Sequence, residues 1–355
     1  MSDYYDVLII GQGLAGSLLA YELTQRQISV LVVDNGLENA SQIAAGLINP
    51  ITGMRLVKSP EIERMLIEAR RYYQQLTALF QQPFYIEKPM WRVFQTQQEY
   101  GCAVKRLNQA DYGHYLGQLH SEADKQWFHH AYGFIEQQQT GYLLTKLLLT
   151  ALKAFFIARQ CYRQSQFDYA SVSFNEFVCW QDIRAKWLIC CEGYHGRHNP
   201  WFGQLPFQLA KGEILTLSGN AVLPDVMLNF GYWFIPLGDE SYRLGATFEH
   251  QHLDDKPSVN ARDELLTALA QRLGEFPGLS VIAQHANVRP TTLDKQPFIG
   301  FHPHQPKLAI FNGFGAKGSV TLPFYCKRFA DVLLNQASLP SVADISRFYD
   351  THFYR

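Results

Sequence analysis

Gly11, Gly13 and Gly16, in the run Gly11-Gln12-Gly13-Leu14-Ala15-Gly16, have the spacing of a turn that receives the pyrophosphate of a dinucleotide. In that chemistry Gly11 permits the tight turn, Gly13 lets the anion reach the backbone, and Gly16 lets a helix pack closely on a strand. The N–H groups that open the helix, around Leu14 and Ala15, face the phosphate. Asp34 stands about twenty residues further on, where a carboxylate accepts hydrogen bonds from a ribose diol and repels a 2′-phosphate, and Asn35 follows it. A similar unit holding no ligand is the plain structural alternative. A second glycine turn, Gly313-Phe314-Gly315-Ala316-Lys317-Gly318 before Ser319, lies near the other end of the chain.

The elements that must position these residues are legible around them. Val7 to Ile10 is an apolar run stopping at glycine, which predicts a buried parallel strand, and Val30 to Asp34 predicts a second. Leu14 to Leu23 carries apolar residues at helical spacing between them. From Ser59-Pro60 the spacing predicts a helix with Pro in its first turn and a stripe of Ile62, Met65, Leu66, Ala69, Tyr72, Tyr73 and Leu76, ending near Pro83. Before it, the small residues Ala44-Ala45-Gly46 fit either packing against the first helix or a second approach to a nucleotide.

Residues 84 to about 135 change texture: a short strand at Met90 to Phe94, a polar helix near Thr96 to Leu107, then aromatic-rich loops with Trp127, Phe128, Tyr132 and Phe134. A helix is expected over Gly141 to Ile157. Trp187 to Glu192 reads as a strand closed by Gly193-Tyr194-His195-Gly196. Ile214 to Leu217, Tyr232 to Pro236 and Tyr242 to Thr247, with a turn at Gly238 to Ser241, read as an antiparallel sheet. A helix near Asn260 to Gly274, a turn at Pro277-Gly278 leading back through Val281 to Val288, a strand at Leu308 to Asn312, and a helix over Ser319 to Asn335 complete the pattern. No fixed-period repeat interrupts it.

At 355 residues the chain suggests two domains, and 47% hydrophobic with 18% charged residues is ordinary globular composition. The net charge of −1 gives no general electrostatic reason to expect nucleic acid. No signal-peptide pattern precedes the first strand, so the expected compartment is the cytoplasm. Tyr142 to Ile157, the longest apolar candidate, is interrupted by Lys146 and Lys153 and is too short for a membrane span. The six cysteines lack C-x-x-C spacing, and alternation along a strand sends Cys190 and Cys191 to opposite faces. His250 with His252 and His302 with His304 have no evident third ligand, so no metal is expected.

Taken together the motifs resemble the D-amino-acid oxidase and glycine oxidase superfamily of FAD-dependent oxidoreductases. The resemblance rests on the Gly11/Gly13/Gly16 unit with Asp34, Ala44-Ala45-Gly46, Cys191-Glu192-Gly193 and Lys211-Gly212-Glu213-Ile214-Leu215. It continues through Trp233-Phe234-Ile235-Pro236, Leu244-Gly245-Ala246-Thr247, Arg289-Pro290 with Asp294, and the C-terminal glycine turn. It implies an α/β and α+β fold: a Rossmann-like FAD-binding domain of discontinuous segments (1–83, 136–210 and 286–355) plus a substrate domain with a mixed or antiparallel sheet (84–135 and 211–285). FAD would be held noncovalently by Gly11, Gly13, Leu14, Ala15, Gly16, Asp34, Asn35, Ala44, Ala45, Gly46, Gly193, Gly313, Gly315, Ala316, Lys317, Gly318 and Ser319.

The implied reaction is oxidation of a C–N bond of an amine or amino acid by hydride transfer to flavin, with oxygen or another electron acceptor. Arg289 matches the family position that anchors a substrate carboxylate; a salt bridge to Asp294 or another acid is its structural alternative. Lys317 and the helix beginning near Gly318 would stabilise negative charge on reduced flavin, or Lys317 is a solvated loop residue. Where glycine-oxidase-like members often carry Tyr just before the apolar-apolar-Pro run and Arg after it, this chain has Trp233 and Leu237, with Tyr232 shifted to the other strand face. Ala316 replaces a second arginine of some amino-acid oxidases.

Two other functions stay open. One, from a resemblance of Gly313 to Pro323 and Pro297 to Gly300, is FAD-dependent removal of carboxymethylaminomethyl groups from tRNA wobble uridine. Its basic candidates, Arg55, Lys58, Arg64, Arg70 and Arg71, are interleaved with Glu61, Glu63 and Glu68, as on an ordinary solvated face. The other is a redox-silent FAD-bound scaffold.

Overall fold

The computed structural model describes residues 3–121, 128–129, 131–220, 224–273 and 278–354. Trp127, Gly274 and Pro277, which entered the sequence reading, lie outside the described residues. The helices are α1 (Leu14–Gln25), α2 (Ala40–Ile43), α3 (Ile62–Phe80), α4 (Gln97–Leu107), α5 (Thr145–Ala158), α6 (Val259–Leu273) and α7 (Gly318–Leu333).

An eight-stranded sheet is built around Asp3–Ile10, which pairs in parallel with Val30–Asp34 on one side and Ile183–Cys190 on the other. Tyr162–Gln164 extends it beyond Val30–Asp34. Ile183–Cys190 is a branch point: its first half pairs with Val178–Trp180, and its second half with Gln305–Asn312. Alternate side chains serve the two faces. Val7, Ile9, Val30 and Val32 pack with α1, α3, α5 and α7, while Leu8, Ile10, Leu31 and Val33 pack with Phe167, Trp180 and Phe202. A strand covered on both faces has to be continuously apolar, and full burial of each such side chain stabilises the fold by roughly 1.5–3 kcal/mol. Cys191 and Cys190 divide between these same two cores.

The second eight-stranded sheet runs in the order Ser280–Arg289, Ala210–Ser218, Ser241–Gly245, Trp233–Gly238, Met227–Asn229, Met90–Val93, Phe134–Gln137, Leu116–His120. Its pairs are antiparallel except for Met227–Asn229 against Met90–Val93. Three of its strands, Phe134–Gln137, Ala210–Ser218 and Ser280–Arg289, run across the expected domain borders at 135, 210 and 285. One face packs Leu215, Phe234 and Leu244 against Leu265, Leu269 and Leu273 of α6. The other meets the Ala44 segment through Ala45, Met90, Tyr142, Met227 and Ile235.

Several elements differ from the sequence reading. The helix expected from Gly141 begins at Thr145, because Gly141–Leu143 is a strand between Leu47–Ile48 and Tyr85–Glu87. The strands come so close that a Cβ on Gly141 would stand 2.4 Å from the Ile86 carbonyl oxygen. Pro60 lies outside α3, whose N-cap is Glu61 at φ 57°. The aromatic stretch expected as loop contains the strand Phe134–Gln137, and between Asp34 and Ala44 lies α2, opened by a capping box of Asn39 and Gln42. Phe174 to Val178 is the turn of a hairpin joining Val172–Phe174 to Val178–Trp180.

Candidate functional site

The parallel strands of the first sheet end together at Ile10, Asp34, Cys190 and Asn312. The crevice beyond the carboxyl ends of such strands is where open α/β sheets receive ligands. Gly11–Gly16, Asn35 to α2, Cys191–Gly193 and Gly313–Gly318 all follow these ends. They are tied together: Gln12 N donates to Asp34 Oδ2 (2.8 Å), Asn312 Nδ2 to Gly193 O (2.9 Å), and Leu14 N to Ser41 Oγ (3.1 Å).

The three N-terminal glycines answer to different constraints. A Cβ on Gly11 would lie 2.5 Å from Cys191 O, and one on Gly16 would lie 2.0 Å from Gly11 O, so backbone packing requires both glycines. At Gly13 the nearest atom to such a Cβ is Ser41 Oγ at 3.5 Å. The protein does not need Gly13 for its own packing, and the missing side chain keeps the entrance to α1 clear. Gly13 provides no side-chain cap, so the Ala15 and Gly16 N–H groups of the first turn are placed for an anion. The Leu14 N–H, expected to serve the anion as well, is engaged by Ser41. Gly193 (φ 58°) is similarly open, with no atom within 4 Å of a built Cβ.

Asp34 braces this end of the crevice, accepting from Gly36 N (2.7 Å) through its other oxygen, while Asn35 Oδ1 accepts from Leu37 N (2.9 Å). Next to the turn stands Glu192, the middle residue of Cys191-Glu192-Gly193, to which the sequence assigns no role of its own. Its buried carboxylate is raised above the usual range by desolvation, and it accepts hydrogen bonds from Tyr169 and from Asn199 Nδ2 (2.7 Å). Gly46 (φ 68°) approaches the Gly141–Leu143 strand so closely that a Cβ would be 2.1 Å from Leu143 O, so packing alone accounts for that glycine. The Ala44 carbonyl accepts from Thr145 Oγ1 (3.2 Å) and from Arg243 Nη1 (3.1 Å).

At the C-terminal turn, Gly315 N donates to Pro290 O (3.2 Å), which joins the turn to the residue after Arg289. The N-terminus of α7 has no side-chain cap from Lys317, and Ser319 is buried with its carbonyl accepting from Tyr73 OH (2.6 Å). Lys317 Nζ donates to Ser59 Oγ (2.8 Å), and desolvation lowers its pKa. Ala316 is exposed.

Register sorts the second sheet's side chains. Gly212, Ile214, Arg243, Gly245, Trp233, Asn287 and Arg289 share the face toward the Ala44 segment, whereas Lys211, Glu213, Tyr232 and Phe234 face α6. Tyr232 OH donates to Glu264 Oε1 on α6, so the structure does not bring Tyr232 together with Arg289, Lys317 or Trp233. The Trp233 ring packs against Gly245, where a Cβ would meet it at 2.8 Å.

Arg289 has no carboxylate partner among the described residues. Its Nη1 donates to Thr247 O (3.2 Å) and Lys211 O (3.5 Å), its guanidinium lies 5.4 Å from the Phe248 ring centroid, and burial lowers its pKa to about 10. Asp294, the acid expected as its structural partner, pairs with Arg347 instead at 2.9 Å. A partly desolvated cation facing only neutral acceptors is a natural receiver for an anion.

A glycine-lined crevice with two uncapped helix N-termini, roofed by a sheet presenting a guanidinium, is a flavin-nucleotide architecture. The family model for FAD-dependent oxidoreductases matches residues 6–332. The chain belongs to this DAO family of FAD-dependent oxidoreductases. FAD would supply a hydride acceptor, and the absence of a side chain at Gly13, with the N–H groups that open α1, fits its pyrophosphate. A glycine oxidase from Pseudomonas putida is 32% identical over 131 residues, 37% of this chain and 36% of the relative. The tRNA 5-methylaminomethyl-2-thiouridine biosynthesis bifunctional protein MnmC from Leptospira borgpetersenii is 24% identical over 82% of this chain and 47% of its own length. The chain thus spans about a third to a half of these curated relatives. The crystal structure of glycine oxidase from Geobacillus kaustophilus superposes with a TM-score of 0.83 at 18% identity, over 97% of this chain and 98% of that one. No helix among the described residues is long and apolar enough to cross a membrane.

Proposed function

We propose that this member of the family oxidises the C–N bond of an amine-bearing carboxylic acid, with Arg289 as the carboxylate anchor. The observation carrying this reading is the Arg289 guanidinium itself, half-buried beside the exposed ring of Phe248 with no acid among the described residues to neutralise it. Its planar donors suit a carboxylate, and Pro290 behind it bonds to the C-terminal glycine turn, so the anchor is coupled to the cofactor crevice. When bound, FAD would supply the hydride acceptor for the carbon bearing the nitrogen. The protein's part is to fix the carboxylate at Arg289, present Trp233 and Phe248 as apolar walls, exclude water, and favour charge on the reduced cofactor through the α7 N-terminus and Lys317. In this reading the segments 1–83, 136–210 and 286–355 hold FAD noncovalently, and 84–135 with 211–285 receive substrate. The glycine oxidases among the relatives support an amino-acid substrate.

Anaerobic titration of the holoprotein with amines, N-methyl amino acids and D-amino acids tests the reading. Bleaching of the flavin by one carboxylate-bearing class, lost in Arg289→Met, is the expected result. Lys317→Met is expected to slow that bleaching, and an unchanged rate and potential would remove Lys317 from the mechanism.

The tRNA reading gains from the MnmC relative that spans most of this chain. Against it, three of the five basic candidates are engaged: Lys58 with Asp111 (2.7 Å), Arg64 with Glu61 (3.0 Å) and Arg70 with Glu87 (3.0 Å). Salt-dependent tRNA binding would revive it. A flavin that no amine reduces and a protein that binds no tRNA would leave the redox-silent scaffold.

A further inference from the structure

We propose that Arg243 is a positioning residue for the flavin: from the second sheet it fixes, together with Thr145, the Ala44 carbonyl, and it sets beside the Ala44–Gly46 segment a cation that no acid among the described residues neutralises. This rests on the reading that Ala44–Gly46 borders FAD, and it is independent of what the substrate is.

The Ala44 carbonyl is the meeting point of three distant parts of the chain. Thr145 reaches it from the start of α5, 101 residues away, and Arg243 from the second sheet, 199 residues away. Two donors on one carbonyl hold the peptide plane, and with it the course of Ala45 and Gly46. Further on, the Gly46 carbonyl is held by Leu143 N (2.9 Å). The segment is therefore clamped at both ends.

A clamp alone does not explain an arginine. Thr145 already supplies a neutral donor, and the surroundings of the segment are apolar: Ala45, Met90, Tyr142, Met227 and Ile235, with Trp233 against them. Arg243 lies on the face of the sheet toward this cluster, paired in register with Ile235 and Thr216. It makes no ion pair among the described residues, and burial lowers its pKa. An uncompensated guanidinium in such a place is costly, and Leu, Met or Gln would fill the site with less penalty. The charge gains a purpose once negative charge accumulates on a flavin lying along the segment. A cation fixed in advance at that place favours the reduced state without reorganising.

The experiment compares wild-type holoprotein with Arg243→Met, Arg243→Lys and Thr145→Val, reading FAD dissociation, the two-electron potential without substrate, and thermal stability. Arg243→Met is expected to weaken FAD binding about tenfold and to lower the potential by ~30 mV, the equivalent of a tenfold loss of preference for reduced over oxidised flavin. Thr145→Val, which removes a donor but no charge, is expected to weaken FAD and leave the potential in place. Arg243→Lys is expected to recover most of the potential. If Arg243→Met does not fold, Arg243→Gln keeps a donor without the charge and carries the same expectation for the potential. Unchanged FAD affinity and potential in a variant that only melts lower would overturn the proposal, leaving Arg243 as a tie between the sheets. Weaker FAD with an unmoved potential would overturn its electrostatic half. A wild-type flavin that no carboxylic amine reduces would instead sink the substrate reading, since these three readouts contain no substrate.

Discussion

Gly212 lies directly beneath the guanidinium of Arg289: a Cβ at Gly212 would stand 2.0 Å from Nη2 and 2.3 Å from Cζ. The two residues are on adjacent strands and share one face of the sheet. A glycine in the middle of a nine-residue strand, otherwise unfavourable, is what lets the arginine lie flat.

Gly212→Ala therefore moves the anchor while leaving the sheet intact. The clash is with the far end of a flexible side chain, and Gly to Ala stabilises a compatible strand by roughly 0.4–1 kcal/mol through the unfolded state. The expected outcome is a KM for the carboxylate substrate raised about tenfold or more, on the scale of one charge-assisted hydrogen bond, with a melting temperature unchanged or higher. Steady-state kinetics beside a thermal melt checks both halves.

Arg289 also sets a pH limit. Its folded pKa, about 10, is below the 12.5 of a free arginine because burial disfavours the charged form. Between those values the unfolded chain binds more protons than the folded one, so this group's destabilising contribution, full below pH 10, is relieved as pH rises through that window. Carboxylate binding should follow the opposite course. Affinity of the holoprotein for a carboxylate inhibitor should fall above pH 10, and the fall should vanish in Arg289→Met along with most of the affinity.

The glycines of the N-terminal turn should separate folding from cofactor binding. Gly16→Ala places a Cβ 2.0 Å from a backbone oxygen and is expected to destabilise the apoprotein as well as abolish FAD binding. Gly13→Ala meets Ser41 Oγ at 3.5 Å and Asn39 Oδ1 at 3.9 Å, both ordinary contacts, so the apoprotein should melt as the wild type does. Saturating FAD at one hundred times its Kd stabilises the wild type by about 2.7 kcal/mol, and Gly13→Ala should lose that increment.

Tyr232 and Trp233 should behave oppositely although they are neighbours. Tyr232→Phe removes only the bond to Glu264 on the α6 side and is expected to leave turnover within about twofold, as an exposed hydrogen bond of modest worth would. Trp233→Ala opens the face toward the flavin crevice and is expected to change KM among substrates of different size. Equal effects from the two variants would contradict the assignment of faces.

The N-terminal strand–helix–strand unit of this protein was legible in its sequence, and the reason is local. Gly11, Gly13, Gly16 and Asp34 lie within one strand–helix–strand unit, where period and glycine spacing dictate geometry before any long-range contact forms. The apolar runs at Val7 to Ile10 and Val30 to Val33 likewise fixed a parallel sheet buried on both faces. What only the tertiary structure decided concerns partners far apart in the chain. That Asp294 belongs to Arg347 and leaves Arg289 with no acid among the described residues, that Gly212 makes room for Arg289, and that Arg243 and Thr145 share the Ala44 carbonyl depend on strand register and on how the two sheets meet. Register is set by packing across a whole sheet, and a shift of one residue exchanges every face, so spacing along the chain carries no record of which side chains come to share the crevice.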